Sequence, residues 1–468
     1  MKSKISLVLL QLFIVLFSYG QSLEKDVALG EEANKAIITQ IGLYEHPALE
    51  NLNEVGQKLV QYLDPQKFDY KFGILDMQEP NAMALPGGFV YFSRGLLVLV
   101  NSEDELAGVM GHEITHVHNQ HARKSQNRSI FSSILLIPGA IVGTIAPNAG
   151  NLLISPVLLF NSAYSRSNEK EADLNGAKLA SAAGYDPSGI AIILEKISDE
   201  VSLESGNVEK SSWFDSHPYT PKRVEELNKY IPKLDYEKQP ENNKKHKAFL
   251  DHLEGIVIGE DPRTGLIKDG EFLHPDMNFV FSFPSDWIGI NSPNALSFSS
   301  PDKNSQLVFL LADSSKDPSQ HAEIFLKEFS KNYDIQAKQN EAIKVNGFPA
   351  HIIQFEKMYQ GQRIIGKLLW LKRDGRVYQF VEIVEQKYSQ VLDECVESFH
   401  TMSSDERNSI YKTTVHIVQA NEGETLEELS LRTGNSLTIE FTSLINNLAK
   451  DAILNNTDWV KIGVDSKY

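Results

Sequence analysis

A chain of 468 residues, 41% hydrophobic and 23% charged, is long enough to bury several cores, so two to four domains are expected. Its 45 basic residues stand against 62 acidic ones, a formal charge of -17, and no Lys/Arg-rich stripe with interleaved aromatics opposes that field, so no nucleic acid is expected as a partner. The one cysteine, Cys395, excludes an intrachain disulfide and any cysteine-based metal site.

The first twenty residues (1–20) have the grammar of an export signal. Lys2 and Lys4 form a basic start, Ser6 to Phe17 an apolar stretch, and Ser18-Tyr19-Gly20 a small-x-small cleavage site. The apolar run of about 12 residues falls short of the roughly 20 that a membrane span needs. No cysteine stands at the cut to take a lipid. The mature chain is expected to begin near Gln21 as an exported protein of a bacterial periplasm, and not as a lipoprotein.

From about Leu23 to Ile231 the pattern is mostly helical, with an apolar strand candidate at Phe89 to Phe92 behind the turn Pro86-Gly87-Gly88. Ser102-Glu103-Asp104-Glu105 reads as a capping box, so a helix is expected from near Glu103 toward Ala122. It carries His112-Glu113-Ile114-Thr115-His116 in its interior. Four residues advance about 400°, so both imidazoles leave one face a turn apart, which suits two nitrogens on one tetrahedral zinc. Glu113 stands about 100° round the helix, where a carboxylate reaches a water at such a site without ligating the ion. One zinc per chain, with Glu113 as proton carrier, makes peptide hydrolysis without a covalent intermediate the expected chemistry. The metzincin continuation is absent, since Asn119 and Ala122 occupy its glycine and histidine positions.

The third ligand must come from elsewhere. Ile130 to Phe160 is apolar but cut by Pro138, Gly139, Gly143, Pro147, Gly150 and Pro156, and reads as a buried pair of short helices or a flap beside the site, not as a span. Beyond it a second helix opens at Ser165-Arg166. Stepping from Glu169 at helical spacing gives Ala172, Asp173, Gly176, Ala177 and Ala180, a narrow face suited to close approach of the first helix. The face of Glu171 gives Leu174, Asn175 and Lys178 and looks solvated. Glu169 is therefore the expected third ligand, Glu171 a surface charge, and Asp173 an acceptor for the second nitrogen of a ligand histidine. His118 and His121 share no face with His112 and His116 and read as packing or surface residues. His217, in the Pro-restrained loop Ser216-His217-Pro218, either steadies an oxyanion, caps the zinc at rest, or is an ordinary loop histidine. Arg223 either holds a carboxylate of the same shell or makes a surface salt bridge.

Residues Pro232 to Lys247 are polar and Lys/Glu/Asn-rich, so a linker is expected over 236–270. Past it the grammar turns to β: Phe279 to Phe283, Leu307 to Leu311, His351 to Phe355, and Lys367 to Leu371 joined to Val377 to Val384 across Arg373-Asp374-Gly375. Helical patterns at Ala322 to Tyr333 and Gln386 to His400 complete an α+β domain over 271–404, and the second of them puts Cys395 on a core face. A small βααβ module is expected over 409–468, with strands at Val415 to Gln419 and Trp459 to Ile462.

With these blocks in order, residues 21–235 resemble the zinc metallopeptidases of peptidase family M48, of gluzincin type, the group that includes BepA-like proteases. The resemblance is carried by Asn81-Ala82-Met83-Ala84-Leu85-Pro86-Gly87-Gly88, by Gly111 to Val117, by Ser165 to Asp173, by Gly184-Tyr185-Asp186-Pro187, and by Ser216-His217-Pro218 with Arg223. It implies a mostly α, zincin-type catalytic domain with a small edge sheet, His112, His116 and Glu169 as ligands, Glu113 as general base and His217 near the metal. It implies that Phe89, Val90, Tyr91 and Phe92 form the edge strand along which an extended substrate pairs, and that the substrates are unfolded or misassembled envelope proteins. The tetratricopeptide repeats of BepA-like proteases have no counterpart here.

The terminal residues resemble a LysM module through Val418 to Leu426, Leu444 to Leu448 and Trp459 to Ile462, but depart from it at Glu424 and Asn456-Thr457. That likeness implies peptidoglycan as a partner, with a purely structural module as the other reading. The rival to an active endopeptidase is a zinc-stabilised chaperone or binding protein. Glu113 separates the two, since a structural zinc has no use for a base beside it.

Overall fold

The structure, a computed structural model, describes residues 23–39, 41–124, 164–204, 213–218, 221–237, 242–292, 295–332, 337–359 and 362–468. The expected export signal and the apolar stretch 130–160 lie outside the described residues. No described helix is long and apolar enough to cross a membrane. Among the described residues one compact unit takes everything up to Gly259 together with Thr413–Ser466, and a second takes Glu260–Lys412 with the last two residues.

The first unit opens with α1 (23–39) and α2 (Ala48–Val60), whose Leu52, Val55 and Leu59 recur at helical spacing and are buried. A three-stranded sheet follows, made of β1 (Lys71–Leu75), β2 (Ala82–Leu85) and β3 (Phe89–Ser93) in the order β1-β3-β2. Gly87 and Gly88 take φ of 82° and 111°, the left-handed region that lets the chain turn from β2 into β3. β3 pairs parallel with β1 and antiparallel with β2. Phe89, Val90, Tyr91 and Phe92 are therefore the middle of the sheet, which corrects their expected place at its edge. An unbroken apolar run is the mark of a strand covered on both faces, and the sheet's edge strands are β1 and β2.

After β3 come α3 (Arg94–Leu99), α4 (Glu103–His118), α5 (His121–Lys124), α6 (Arg166–Ala182), α7 (Gly189–Glu204), α8 (Trp213–Ser216) and α9 (Pro221–Tyr230). Ser102 Oγ accepts from Glu105 N at 3.1 Å and starts α4. Only half of the expected capping box forms, because the Glu105 carboxylate turns to Asn101 N and the buried Lys196 ammonium. Helices α4 and α6 touch backbone to backbone at Gly111 and Gly176.

Residues 236–270, expected as a linker, contain α10 (Asn243–Asp251) and the short β4 (Val257–Ile258). Phe249, Leu250, Leu253, Ile256 and Val257 are all buried in the core of the first unit. Their helical stripe lies just beyond the polar run that suggested a linker, so composition masked it.

The second unit holds β5 (Leu266–Lys268), β6 (Glu271–His274), β7 (Phe279–Ser282), β8 (Ile288–Ser292), β9 (Ala295–Ser299), β10 (Gln306–Ala312), α11 (Pro318–Asn332), β11 (Ala337–Val345), β12 (Phe348–Tyr359), β13 (Gln362–Arg373), β14 (Arg376–Glu385), α12 (Val391–Ser398) and β15 (His400–Thr401). Seven strands form one antiparallel sheet in the order β11-β12-β13-β14-β10-β9-β8. Asp374 and Gly375, both at positive φ, make the tight turn between β13 and β14. One face packs under α11 around Val308, Ile353, Leu368 and Trp370, and the other meets α12 and a Phe-rich cluster. Glu382 is buried in that second cluster. Its Oε1 accepts from Leu392 N, its Oε2 has no hydrogen-bond partner among the described residues, and Lys367 Nζ stands 3.8 Å away. Burial pushes its carboxyl up to about 8.

The chain then returns to the first unit through β16 (Tyr411–Gln419), α13 (Leu426–Thr433), α14 (Ile439–Asn446) and β17 (Trp459–Lys467). The strand order β17-β16-β4 makes the segment expected as a linker the third strand of this terminal sheet. Val415 and Ile445 join the first unit's core. The fully buried Lys461 donates from Nζ to the carbonyls of Val98 at 2.6 Å and Val100 at 2.8 Å, at the end of α3.

Candidate metal centre

His112 and His116 leave one face of α4 with their Nε2 atoms 3.0 Å apart. From α6, Glu169 brings Oε1 to 3.4 Å from His116 Nε2 and Oε2 to 3.7 Å from His112 Nε2. His217, just past α8, sets Nδ1 3.2 Å from His112 Nε2 and 3.1 Å from Glu169 Oε1. One donor atom from each of the four residues lies within 4.8 Å of the others, and all four residues are buried. Three imidazoles and a carboxylate facing one another away from water hold more lone pairs than protons, so the cluster fits a cation. Nitrogen donors with one carboxylate suit zinc.

The spacing has a backbone cause. A Cβ on Gly176 would lie 2.6 Å from His112 N, and one on Gly111 would lie 2.8 Å from the Gly176 carbonyl oxygen. Only glycine at both positions lets α4 and α6 come close enough for Glu169 to join the two histidines.

The surrounding charges fit the same picture. Burial, then the neighbouring His112 and His217, holds the His116 imidazole well below its ordinary pKa, in the neutral form a ligand needs. Burial alone would raise the Glu169 carboxyl, but His217, His112 and Arg223 outweigh it and keep it below the usual range. Asp173 is held far below the usual carboxylate range against its own burial, by Arg223 and His112. Its Oδ1 lies 2.9 Å from His112 Nδ1. Arg223 Nε and Nη2 donate to the two Asp173 oxygens at 2.9 and 2.8 Å, while Nη1 donates to the His217 carbonyl and stands 2.9 Å from Glu169 Oε2. Burial lowers the His217 imidazole, yet Glu169 and Glu113 together raise it above its ordinary value.

Glu113 is fully buried beside this group. Trp213 Nε1 donates to its Oε1 at 3.2 Å, and its Oε2 has no hydrogen-bond partner among the described residues. Phe89 to Phe92 of β3 are not among the groups that converge here; β2, one of the sheet's two edge strands, runs beside α4.

Several participants are invisible to helical-face reasoning. Trp213 lies in a segment with no pattern of its own. Tyr164, whose ring centroid is 4.0 Å from that of His116, directly precedes the α6 cap. His121 is fully buried with Nδ1 3.0 Å from His116 Nδ1, and its Nε2 lies 3.4 Å from Glu171 Oε2. An ideal helix carried past His118 turns His121 away; in the structure Gln120, at φ 55°, ends the helix and turns it back.

A profile of peptidase family M48 matches residues 48–231. A putative beta-barrel assembly-enhancing protease of Vibrio cholerae is 30% identical over 193 residues, covering 39% of this chain and 40% of its own. The beta-barrel assembly-enhancing protease of Escherichia coli K12 is 27% identical over the same shares. The mitochondrial metalloendopeptidase OMA1 of Schizosaccharomyces pombe is 26% identical over 226 residues, covering 47% of this chain and 64% of its own. The chain thus spans about 40% of the length of the two bacterial relatives. Among solved structures, cyanobacterial PsbP from Synechocystis overlays 31% of the chain and 98% of its own at 14% identity with a TM-score of 0.24, too slight a likeness to assign a fold. Residues 48–231, which hold all four converging donors, are the part of this chain that is similar to peptidase family M48.

Proposed function

We propose that the protein is an exported zinc endopeptidase whose zincin-type catalytic domain occupies residues 21–235, with His112, His116 and Glu169 as ligands and Glu113 as general base. The observation that carries this reading is Glu113: one oxygen fixed by Trp213, the other buried without a hydrogen-bond partner among the described residues, next to four converging donors. Zinc held there would polarise the scissile carbonyl and lower the pKa of water. Glu113 Oε2 takes the water's proton and returns it to the leaving amine. Asp173 fixes the tautomer of His112, and Arg223 balances the negative charge of Glu169 and Asp173. His217 occupies the fourth donor position at rest and withdraws to admit water. Its imidazole then stands where it can donate to the carbonyl oxygen as charge builds there.

The place of β2 at an edge of the sheet, beside α4, supports an extended substrate adding as a further strand. Asn81, directly before β2, has both amide atoms buried without a partner among the described residues, which supports a role in holding that substrate's backbone. The bacterial relatives are named for enhancing beta-barrel assembly, which supports envelope proteins as the substrates of this reading. The terminal βααβ order supports a LysM-like module with peptidoglycan as its ligand.

The test is cleavage of an unfolded protein by the mature chain and by Glu113→Gln, with zinc content measured in both. A proton carrier contributes about 10²–10⁴-fold, so Glu113→Gln should keep its zinc and lose at least that much turnover. Equal turnover in the two proteins refutes the mechanism.

A further inference from the structure

We infer that His121 and Glu171 position the ligand His116, through a chain of two imidazoles and a carboxylate that answers the direct Asp173 contact to His112. The inference rests on the reading of His116 as a ligand. Gln120 takes a left-handed φ of 55°, held by its Nε2 donating to Asp26 Oδ2 at 2.6 Å, and so brings the buried His121 back against α4. His121 Nδ1 meets His116 Nδ1 at 3.0 Å, and His121 Nε2 faces Glu171 Oε2 at 3.4 Å. Asn119 Nδ2 donates to the other Glu171 oxygen at 2.8 Å, fixing that carboxylate from the end of α4.

One arrangement of protons satisfies every member. Once His116 Nε2 points its lone pair at a cation, its Nδ1 carries the proton and donates it to His121 Nδ1. The His121 proton then sits on Nε2 and points to Glu171. The two ligand histidines are thereby held unequally. His112 meets a buried, Arg-paired carboxylate directly, whereas His116 meets a neutral ring whose orientation depends on a carboxylate that is 46% exposed. His116 is the ligand whose hold the solvent-facing end of the chain adjusts. His121 and Glu171 are positioning residues, since neither belongs to the four-donor group.

The experiment compares zinc affinity by chelator competition, and the visible spectrum of the cobalt-substituted protein, in wild type, His121→Phe, His121→Gln, Glu171→Gln and His116→Ala. His121→Phe keeps the ring's bulk but removes the acceptor, and should weaken zinc binding about 10–100-fold and shift the cobalt bands. His121→Gln, which restores an acceptor oxygen, should recover part of the loss. Glu171→Gln lies at the surface and should fold normally while weakening zinc about tenfold or less. Zinc affinity and cobalt bands unchanged in both Glu171→Gln and a folded His121→Phe would overturn the inference. Should His121→Phe not fold, Glu171→Gln decides alone. His116→Ala guards the underlying reading: if it binds zinc as wild type does, His116 is no ligand and that reading fails first.

Discussion

Gly176→Ala probes the crossing that sets the ligand spacing. The added Cβ would lie 2.6 Å from His112 N, 2.8 Å from Gly111 C and 3.0 Å from His112 Cα, all backbone atoms that no rotamer change can move. Ordinary contact begins at 3.4 Å, so α6 must back away from α4 by about 0.8 Å. That exceeds the roughly 0.5 Å tolerance of a preorganised site. A misplacement near 1 Å costs about 10²-fold in rate. Overpacking costs about 1–3 kcal/mol, against a helix-propensity gain of about 1 kcal/mol for Ala over Gly, so the net change is a modest destabilisation. Ala180→Gly in the same helix is the control, since it gives up about 1 kcal/mol of propensity without wedging the crossing. Peptide turnover and zinc affinity by chelator competition, measured alongside melting temperature, separate the two. Both variants should melt earlier, but only Gly176→Ala should bind zinc more weakly and turn over about 10²-fold more slowly. Wild-type zinc affinity and turnover in Gly176→Ala would refute the idea that this contact sets the geometry.

Arg223→Lys keeps the charge but not the two-pronged contact with Asp173, and zinc affinity should fall about 10–100-fold in the same competition assay. Glu382 gives a pH signature in the second unit. Its folded carboxyl titrates near 8 and its unfolded one near 4.5, so the stability it contributes is full below 4.5 and is lost as pH rises through 8. Hydrogen exchange in β13 and β14, corrected for intrinsic rate, should show less protection at about pH 8.5 than at about pH 5, and Glu382→Gln should flatten the difference. Lys461→Met leaves the Val98 and Val100 carbonyls without that donor at a cost of about 1–3 kcal/mol. Calorimetry should find the first unit melting several degrees earlier, and exchange should rise at 94–100.

What the sequence made legible was what repeats at a fixed angle. His112, His116, Glu169 and Asp173 all follow from counting round two helices, because a helix face is a local property. The role of Phe89 to Phe92 was misplaced because hydrophobicity reports that a strand is covered, not which neighbours cover it. His121 escaped because Gln120 breaks the helical angle, and nothing about a glutamine announces a left-handed turn. Lys461 reads as a surface residue in any sequence; only the buried carbonyls at the end of α3, more than 350 positions away, make it a buried one. Trp213 likewise gains meaning only from its partner on another element.

The return of β16 and β17 to the first unit has a consequence for how the protein is made. A unit that begins near the amino terminus but draws core residues from Val415 and Ile445 and a buried donor from Lys461 cannot complete its core before those residues have been synthesised. The core around the four-donor group is therefore completed only after residue 461 has been made. On the function proposed above, the order of synthesis itself would delay activity until the whole chain is made.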